Sequence, residues 1–233
     1  MQLLYYQIEP KFKTKEVFRI FADTHKIIAS KIHDNVFDIY GVKLDKDKLL
    51  WGSVCPDILP QFKFVRHYKD ESLNFVAKEI MKVIFISRYL EFNKILDPFT
   101  MKVLSKKIGI ISHYLSDYVC LPHAKRWTLT TSTNTMVKHI KYESQLNNYV
   151  VKHDFKKNLI DVSDIDIYDT DVMGLKNRIK EYINEVVEEY SIKTSFENDL
   201  DFALSLNLKI SCFILDTIES YSEEINGHFA FEF

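Results

Sequence analysis

Apolar residues recur every three to four positions through most of this chain, the period of an α-helix with one buried face. In residues 24–40 the repeat is Ile28, Ile32 and Val36. Thr24 is placed to cap that helix, or else Val17, Ile20 and Phe21 extend it backwards. Residues 71–93 and 99–120 are predicted as strongly buried helices, the second stopped by Pro122. Helices over 136–152, 172–191 and 195–221 complete the set. Between them, residues 41–70 hold Gly41, Trp51, Gly52, Pro56 and Pro60 and are predicted as a long ordered loop, a kind of segment that usually carries function. A polar loop, TLTTSTNT, is expected at 128–135, and an acidic irregular stretch at 154–171. No repeat or low-complexity tract occurs. The acidic stretch is the one candidate boundary, and the two helices after it are too small to fold alone. The expectation is therefore one all-α domain spanning residues 1–233.

Composition supports this picture. The 233 residues include 5 glycines and 5 prolines, too few for the many tight turns a sheet protein needs. Hydrophobic residues make up 46% and charged residues 27%, enough for a proper core. The net charge of −2 offers no global basic field for a duplex or an anionic membrane. No stable nucleic-acid partner is expected, although an enzyme that grips one phosphate locally is compatible. No apolar run reaches the length of a membrane span, and the N-terminus lacks the pattern of a signal peptide. Cys55, Cys120 and Cys212 are widely spaced and odd in number, which argues against a disulfide framework and fits a reducing cytoplasm.

The chemistry concentrates in four segments. In SHYLSDYVCLPHAKRW, His113 and Asp117 are four apart on one helix face, so both side chains can reach one ion. His123 follows Pro122, where the helix ends, and leaves in another direction. In MVKHIKYESQL, His139 and Glu143 repeat the i, i+4 spacing. With His123 they offer two imidazoles and a carboxylate, a set typical of catalytic zinc with one position open. Asp57 and His67 lie on the 41–70 segment, able to fold over a helix-borne site. His25 shares a stripe with Phe21, Ile28 and Ile32, and an imidazole facing a core needs a partner.

Each piece alone has an ordinary reading. His113–Asp117 and His139–Glu143 are common helical ion pairs, His25 a hydrogen-bonded core histidine, Asp57 a turn residue. Cys55 and Cys120 read as small buried hydrophobes, Trp51 and Trp127 as packing anchors. His33, His153 and His228 are assigned to the surface, and Lys125 and Arg126 to solvated charge, with help in holding a phosphate as the alternative. The joint order of His, Asp, His, HxxxD, PH and HxxxE is what an ordinary account does not supply.

The segments HYLSDYVCLPHA and HIKYE resemble the signature of the zinc-dependent phospholipases C of Gram-positive bacteria. That family is itself similar to single-strand-specific zinc nucleases of fungi and plants. The resemblance runs from about His25 to Glu143. It implies a compact multi-helix fold and two or three zinc ions. Asp57, His67, His113 and Asp117 would hold the first ion, and His123, His139 and Glu143 the second. His25 would hold a third, bridged by Asp117. It implies hydrolysis of a phosphodiester, with Asp57 orienting or deprotonating the attacking water. The implied partner is a phospholipid or other phosphodiester, with transient membrane-surface contact. A nuclease or nucleotidase using the same metals, and a zinc-stabilised helical binding module without turnover, are the alternatives. The sequence departs from the family twice. In secreted members an N-terminal tryptophan completes the third site, whereas here about two dozen residues precede His25 and none of the first twenty is tryptophan. Choline-selective members carry a tyrosine directly after the loop aspartate, where this chain has Ile58, while Phe64 matches their phenylalanine. An aromatic cage for a quaternary ammonium would be incomplete.

Overall fold

From Ile108 to Tyr118, eleven consecutive positions of one helix are buried. A helix buried on every face needs neighbours all round it, and this one, α5 (Pro98–Tyr118), packs chiefly against four long or close-lying helices. They are α1 (Thr14–Tyr40), α2 (Lys46–Gly52), α4 (Lys69–Ser87) and α9 (Phe196–Ala230). The remaining elements are α3 (Cys55–Ile58), a 3-10 turn (Pro60–Phe62), α6 (Leu121–Ala124), α7 (Thr133–Val150) and α8 (Val172–Ser191). The structure, a computed structural model, describes the backbone of residues 14–87, 98–128, 132–165 and 172–230, and the side chains of 23–87, 98–128, 132–165 and 173–220. The described residues are helical with no strand, in agreement with the all-α expectation. No helix among them is long and apolar enough to cross a membrane.

The helix bounds refine the sequence reading. Of the two openings considered for α1, the backward extension is the one found, because the helix begins at Thr14. Thr24 instead ties α1 to α7, its N–H donating to Asn147 Oδ1 at 2.9 Å and its hydroxyl to the same oxygen at 3.1 Å. Gly41 ends α1 at φ +66°, a left-handed conformation in which its N–H bonds Phe37 O. The side chain of Phe21, positions 88–93 of the predicted 71–93 helix and the His228 side chain lie outside the described residues.

The 41–70 segment is not one loop. Asp45 caps α2 by accepting from Lys48 N at 2.9 Å, and Pro56 and Pro60 open α3 and the 3-10 turn at positions where a missing N–H is harmless. The periodicity of these pieces is too short to register against their prolines and glycines. α2 lies on α5 at backbone contact. A Cβ on Gly109 would stand 2.8 Å from Ser53 N, with Leu49 O nearer still, and a Cβ on Gly52 would overlap Lys106 O. Two glycines facing each other permit this approach, which brings the chain after Gly52 over the middle of α5.

His153 is a correction to its surface assignment. Its Nε2 lies 2.6 Å from Asp201 Oδ1, and its side chain is 6% exposed. Asp201 also accepts from Lys156 N, so this pair pins the chain after α7 onto α9. A histidine outside any helical pattern gives no sequence sign of its burial. Trp51, expected as an anchor, is 39% exposed, whereas Trp127 packs edge-on against Tyr142.

Candidate metal centre

All eight side chains singled out from the sequence meet at one place. α1 supplies His25, α3 Asp57, the turn before α4 His67, α5 His113 and Asp117, α6 His123, and α7 His139 and Glu143. Asp117 is the hub. Its carboxylate lies 2.7 Å from His67 Nδ1, 3.4 Å from both His25 Nε2 and His113 Nε2, and 3.8 Å from His123 Nε2. Asp57 Oδ1 lies 3.5 Å from His113 Nε2 and 3.8 Å from His67 Nδ1. At the far end, Glu143 Oε1 lies 3.0 Å from His123 Nε2 and 2.8 Å from His139 Nε2.

Two backbone carbonyls decide what these nitrogens offer. His113 Nδ1 is 2.9 Å from Ser53 O, and His139 Nδ1 is 2.8 Å from Trp127 O. A carbonyl only accepts, so each Nδ1 carries the hydrogen. In the neutral imidazole, Nε2 then presents a lone pair. That lone pair faces carboxylate oxygens, which are acceptors too. Two acceptors at 2.8 Å repel unless a proton or a cation lies between them. The backbone thus orients both rings as outer-shell partners orient metal-ligating histidines.

The donor set fits zinc. Three groups have ligand atoms within 4.8 Å of one another: His123, His139 and Glu143; His67, His113 and Asp117; and His25, Asp57 and His113. Tetrahedral zinc with bonds of about 2.0–2.1 Å holds its donors about 3.3 Å apart, the range seen here. His113 belongs to two of the groups, and Asp57 associates with both. His25 Nδ1 and His123 Nδ1 are buried without a hydrogen-bond partner, so on their far sides these two rings lack the carbonyl that orients His113 and His139.

Burial and charge pull these groups in opposite directions. Burial pushes the carboxyls of Asp117 and Glu143 up, but the histidines around them prevail. Asp117 is held well below the usual carboxylate range, chiefly by His123 and His113. Glu143 falls to about 2, through its bonds with His123 and His139. Burial lowers His113 to about 4. For His25 and His67, burial pushes down and Asp117 more than reverses it; Glu143 does the same for His139. The two carboxylates are therefore ready anions, and His113 is neutral near pH 7, as ligation requires.

These shifts set how the chelated chain responds to acid. Glu143 and Asp117 have lowered folded values, so their contribution is present above the unfolded value of about 4.5 or below and is lost as pH falls through the folded ones. His113 is also lowered, so the unfolded chain takes up its proton first and stability drops from about pH 6.5 towards 4. The raised His25, His67 and His139 act oppositely, their contribution full below about 6.5 and lost as pH rises through the elevated values. In excess chelator, the melting temperature is expected to fall steadily between about pH 6 and pH 3, and a flat profile there would contradict these assignments.

The centre opens into a cleft of about 260 Å³ whose wall adds Arg66 and Tyr68 to the site residues. A second cavity of about 40 Å³ lies behind it, bordered by His25, Asp117, Glu143 and Asp199. Asp199, absent from the sequence-derived set, braces the centre from α9. It accepts from Leu121 N at 3.1 Å, Tyr142 hydroxyl at 2.8 Å and Tyr190 hydroxyl at 2.8 Å. Those bonds fix the start of α6, which carries His123, and the neighbour of Glu143 on α7. An aspartate in the first turn of a helix reads as ordinary N-terminal charge, so nothing in the sequence marks it. Asp199→Ala leaves two hydroxyls and an amide unsatisfied in a buried place. The expected loss is about 3 kcal/mol, read by chemical denaturation, with Asp199→Asn losing less.

The neighbouring residues behave largely as their sequence context suggests. Cys55 and Cys120 are free and buried, and burial raises Cys55 to about 11 and Cys120 well above its usual value. Lys125 is exposed. Arg126 is more engaged than solvated charge would be: it pairs with Glu71 and Asp70 and lies over the Tyr68 ring.

A family model described as zinc dependent phospholipase C matches residues 24–196. No curated protein and no solved structure matches the chain.

Proposed function

The chain belongs to the zinc-dependent phospholipase C family, and we propose that it hydrolyses phosphodiesters of the phospholipid type in the cleft over this centre. In this reading His25, Asp57, His67, His113, Asp117, His123, His139 and Glu143 hold two or three zinc ions. The observation that supports it is His139, whose Nδ1–H is committed to Trp127 O while its Nε2 lone pair stands 2.8 Å from Glu143 Oε1; His113 repeats the pattern more loosely, with Nδ1 on Ser53 O and Nε2 3.4 Å from Asp117. A cation or an added proton between His139 and Glu143 reconciles that contact.

Zinc, when bound, supplies Lewis-acid polarisation of the phosphoryl group and a water acidified towards about pKa 7. The chain's own contribution is placement and charge. Three carboxylates against two or three divalent ions leave about +1 to +3, so a phosphodiester anion is drawn in without a basic surface. Asp57 is the most exposed of the three, its side chain 30% exposed against 6% for Asp117 and 20% for Glu143. It lines the cleft, and so takes the role of orienting the attacking water and accepting its proton. Asp117, enclosed by histidines, keeps the two halves of the centre in register. The water's oxygen bonds to phosphorus, the ester bond to the leaving alcohol breaks, and that oxygen takes a proton. For a phospholipid the products are diacylglycerol and a phosphorylated headgroup.

The test is a panel given to the zinc-loaded chain: bis(p-nitrophenyl) phosphate, phospholipid vesicles and single-stranded DNA. Turnover of the first two, lost on chelation and restored by zinc, is the expected result. Cleavage of DNA alone would move the assignment to a nuclease. Zinc uptake with no turnover would make the chain a metal-stabilised binding module. Chelation is also expected to lower the melting temperature, because ions that bind the folded chain stabilise it.

A further inference from the structure

Arg66 stands at the cleft wall beside His67 and forms no ion pair with any described residue. Every other feature of the wall is accounted for by the centre itself, apart from Tyr68. The Tyr68 ring already carries a cation, the guanidinium carbon of Arg126, at 5.1 Å from its centroid. Arg126 is neutralised by Glu71 and Asp70. Arg66 has no such counter-charge.

Their arrangement bears on the group attached to the phosphorus. A quaternary ammonium is held by several aromatic faces arranged as a cage. Here Phe64 is 93% exposed and Ile58 48% exposed, and neither lines the cleft. The one phenol at the wall has its ring shared with a guanidinium. A choline-like group would meet no aromatic cage, and would meet a like charge in Arg66. The carboxylates that would attract it, Asp57, Asp117 and Glu143, are committed to the ions under the proposed function. An anionic or hydroxyl-bearing partner would instead find in Arg66 a guanidinium with its donors free.

Resting on the proposed phosphodiesterase reading, we infer that Arg66 makes this site select phosphate esters of net negative charge over zwitterionic, quaternary-ammonium ones. The guanidinium binds the far side of the substrate while the centre holds the scissile phosphoryl group. It acts on substrate affinity and not on the reacting atoms.

The experiment compares short-chain phosphatidylglycerol with phosphatidylcholine of the same acyl chains, both kept below their micelle-forming concentrations. The zinc-loaded chain is expected to favour the glycerol lipid in kcat/KM by about tenfold. Arg66→Ala should bring that ratio close to one, mainly through KM, and Arg66→Lys should retain part of it, with zinc content unchanged in both. Calorimetry gives a readout without turnover: glycerol 1-phosphate should bind the unsubstituted chain about tenfold more tightly than phosphocholine, and Arg66→Ala should erase the difference. Equal or better use of phosphatidylcholine, or a ratio that Arg66→Ala leaves alone, overturns the inference while leaving the phosphodiesterase reading standing. Failure to hydrolyse even bis(p-nitrophenyl) phosphate overturns the phosphodiesterase reading instead, and the calorimetry still decides whether Arg66 sorts the two anions.

Discussion

Asp117→Asn is expected to lower kcat/KM on a phosphodiester by about 10⁴-fold and to reduce the zinc content of the purified chain. The substitution keeps the shape of the side chain and removes its charge, so little of the loss comes from altered packing. Four histidines, His25, His67, His113 and His123, lie within 3.8 Å of this one carboxylate. On the proposed reading, an amide brings two donors into a place where every nitrogen aimed at it is needed as a ligand. It also leaves the ions short of one negative charge, at a residue only 4% exposed, too enclosed for solvent to compensate. The measurement is metal content by mass spectrometry beside kinetics on bis(p-nitrophenyl) phosphate. His113→Ala serves as the parallel case and should lose both metal and activity. An Asp117→Asn chain that keeps full zinc and full turnover would remove this residue from the centre.

Gly109→Ala should be the most damaging small substitution to stability. A methyl group there meets Leu49 O, Ser53 N and the Gly52 Cα, all backbone atoms that no rotamer change can move aside. Overpacking of this kind costs about 3 kcal/mol, at the upper end of the usual range because main chain must shift. For a chain of this size that is a fall in melting temperature of about 6–12 °C. The effect should reach the metal centre as well. Ser53 is the residue after Gly52, and its carbonyl holds His113 Nδ1 at 2.9 Å. Forcing α2 away from α5 releases that ring, so zinc affinity should fall in the folded fraction. Gly41→Ala is the contrast. At φ +66° with nothing within 4 Å of the added carbon, it costs only conformational strain of about 1–2 kcal/mol and leaves the centre untouched. Similar melting temperatures for the two variants would mean that the α2–α5 contact is looser than described.

The helices themselves were legible because each has a repeat long enough to reveal its period. α1, α4, α5, α7, α8 and α9 all show it. α2 and α3 do not, with seven and four residues between glycines and prolines, too short for any periodicity to stand out. The candidate ligands stood out in the sequence for a related reason. The HxxxD and HxxxE spacings place pairs on one face by helix geometry alone, and Pro122 marks where His123 must diverge. Arg66 and Asp199 stand outside the candidates drawn from the sequence, because an arginine beside a histidine has no spacing rule to announce it and an aspartate in the first turn of a helix reads as ordinary end charge.

By itself the sequence determined where the long helices lie and which side chains have the chemistry of zinc ligands, since both follow from local order along the chain. Tertiary structure alone decided that residues from position 25 to position 143 share one centre. It also decided that two carbonyls, those of Ser53 and Trp127, orient the rings of His113 and His139, and that His153 is buried against Asp201. The physical reason is that contacts between residues far apart in sequence are made by helix packing. Where packing depends on a methyl group missing at Gly52 and Gly109, local pattern carries no trace of it.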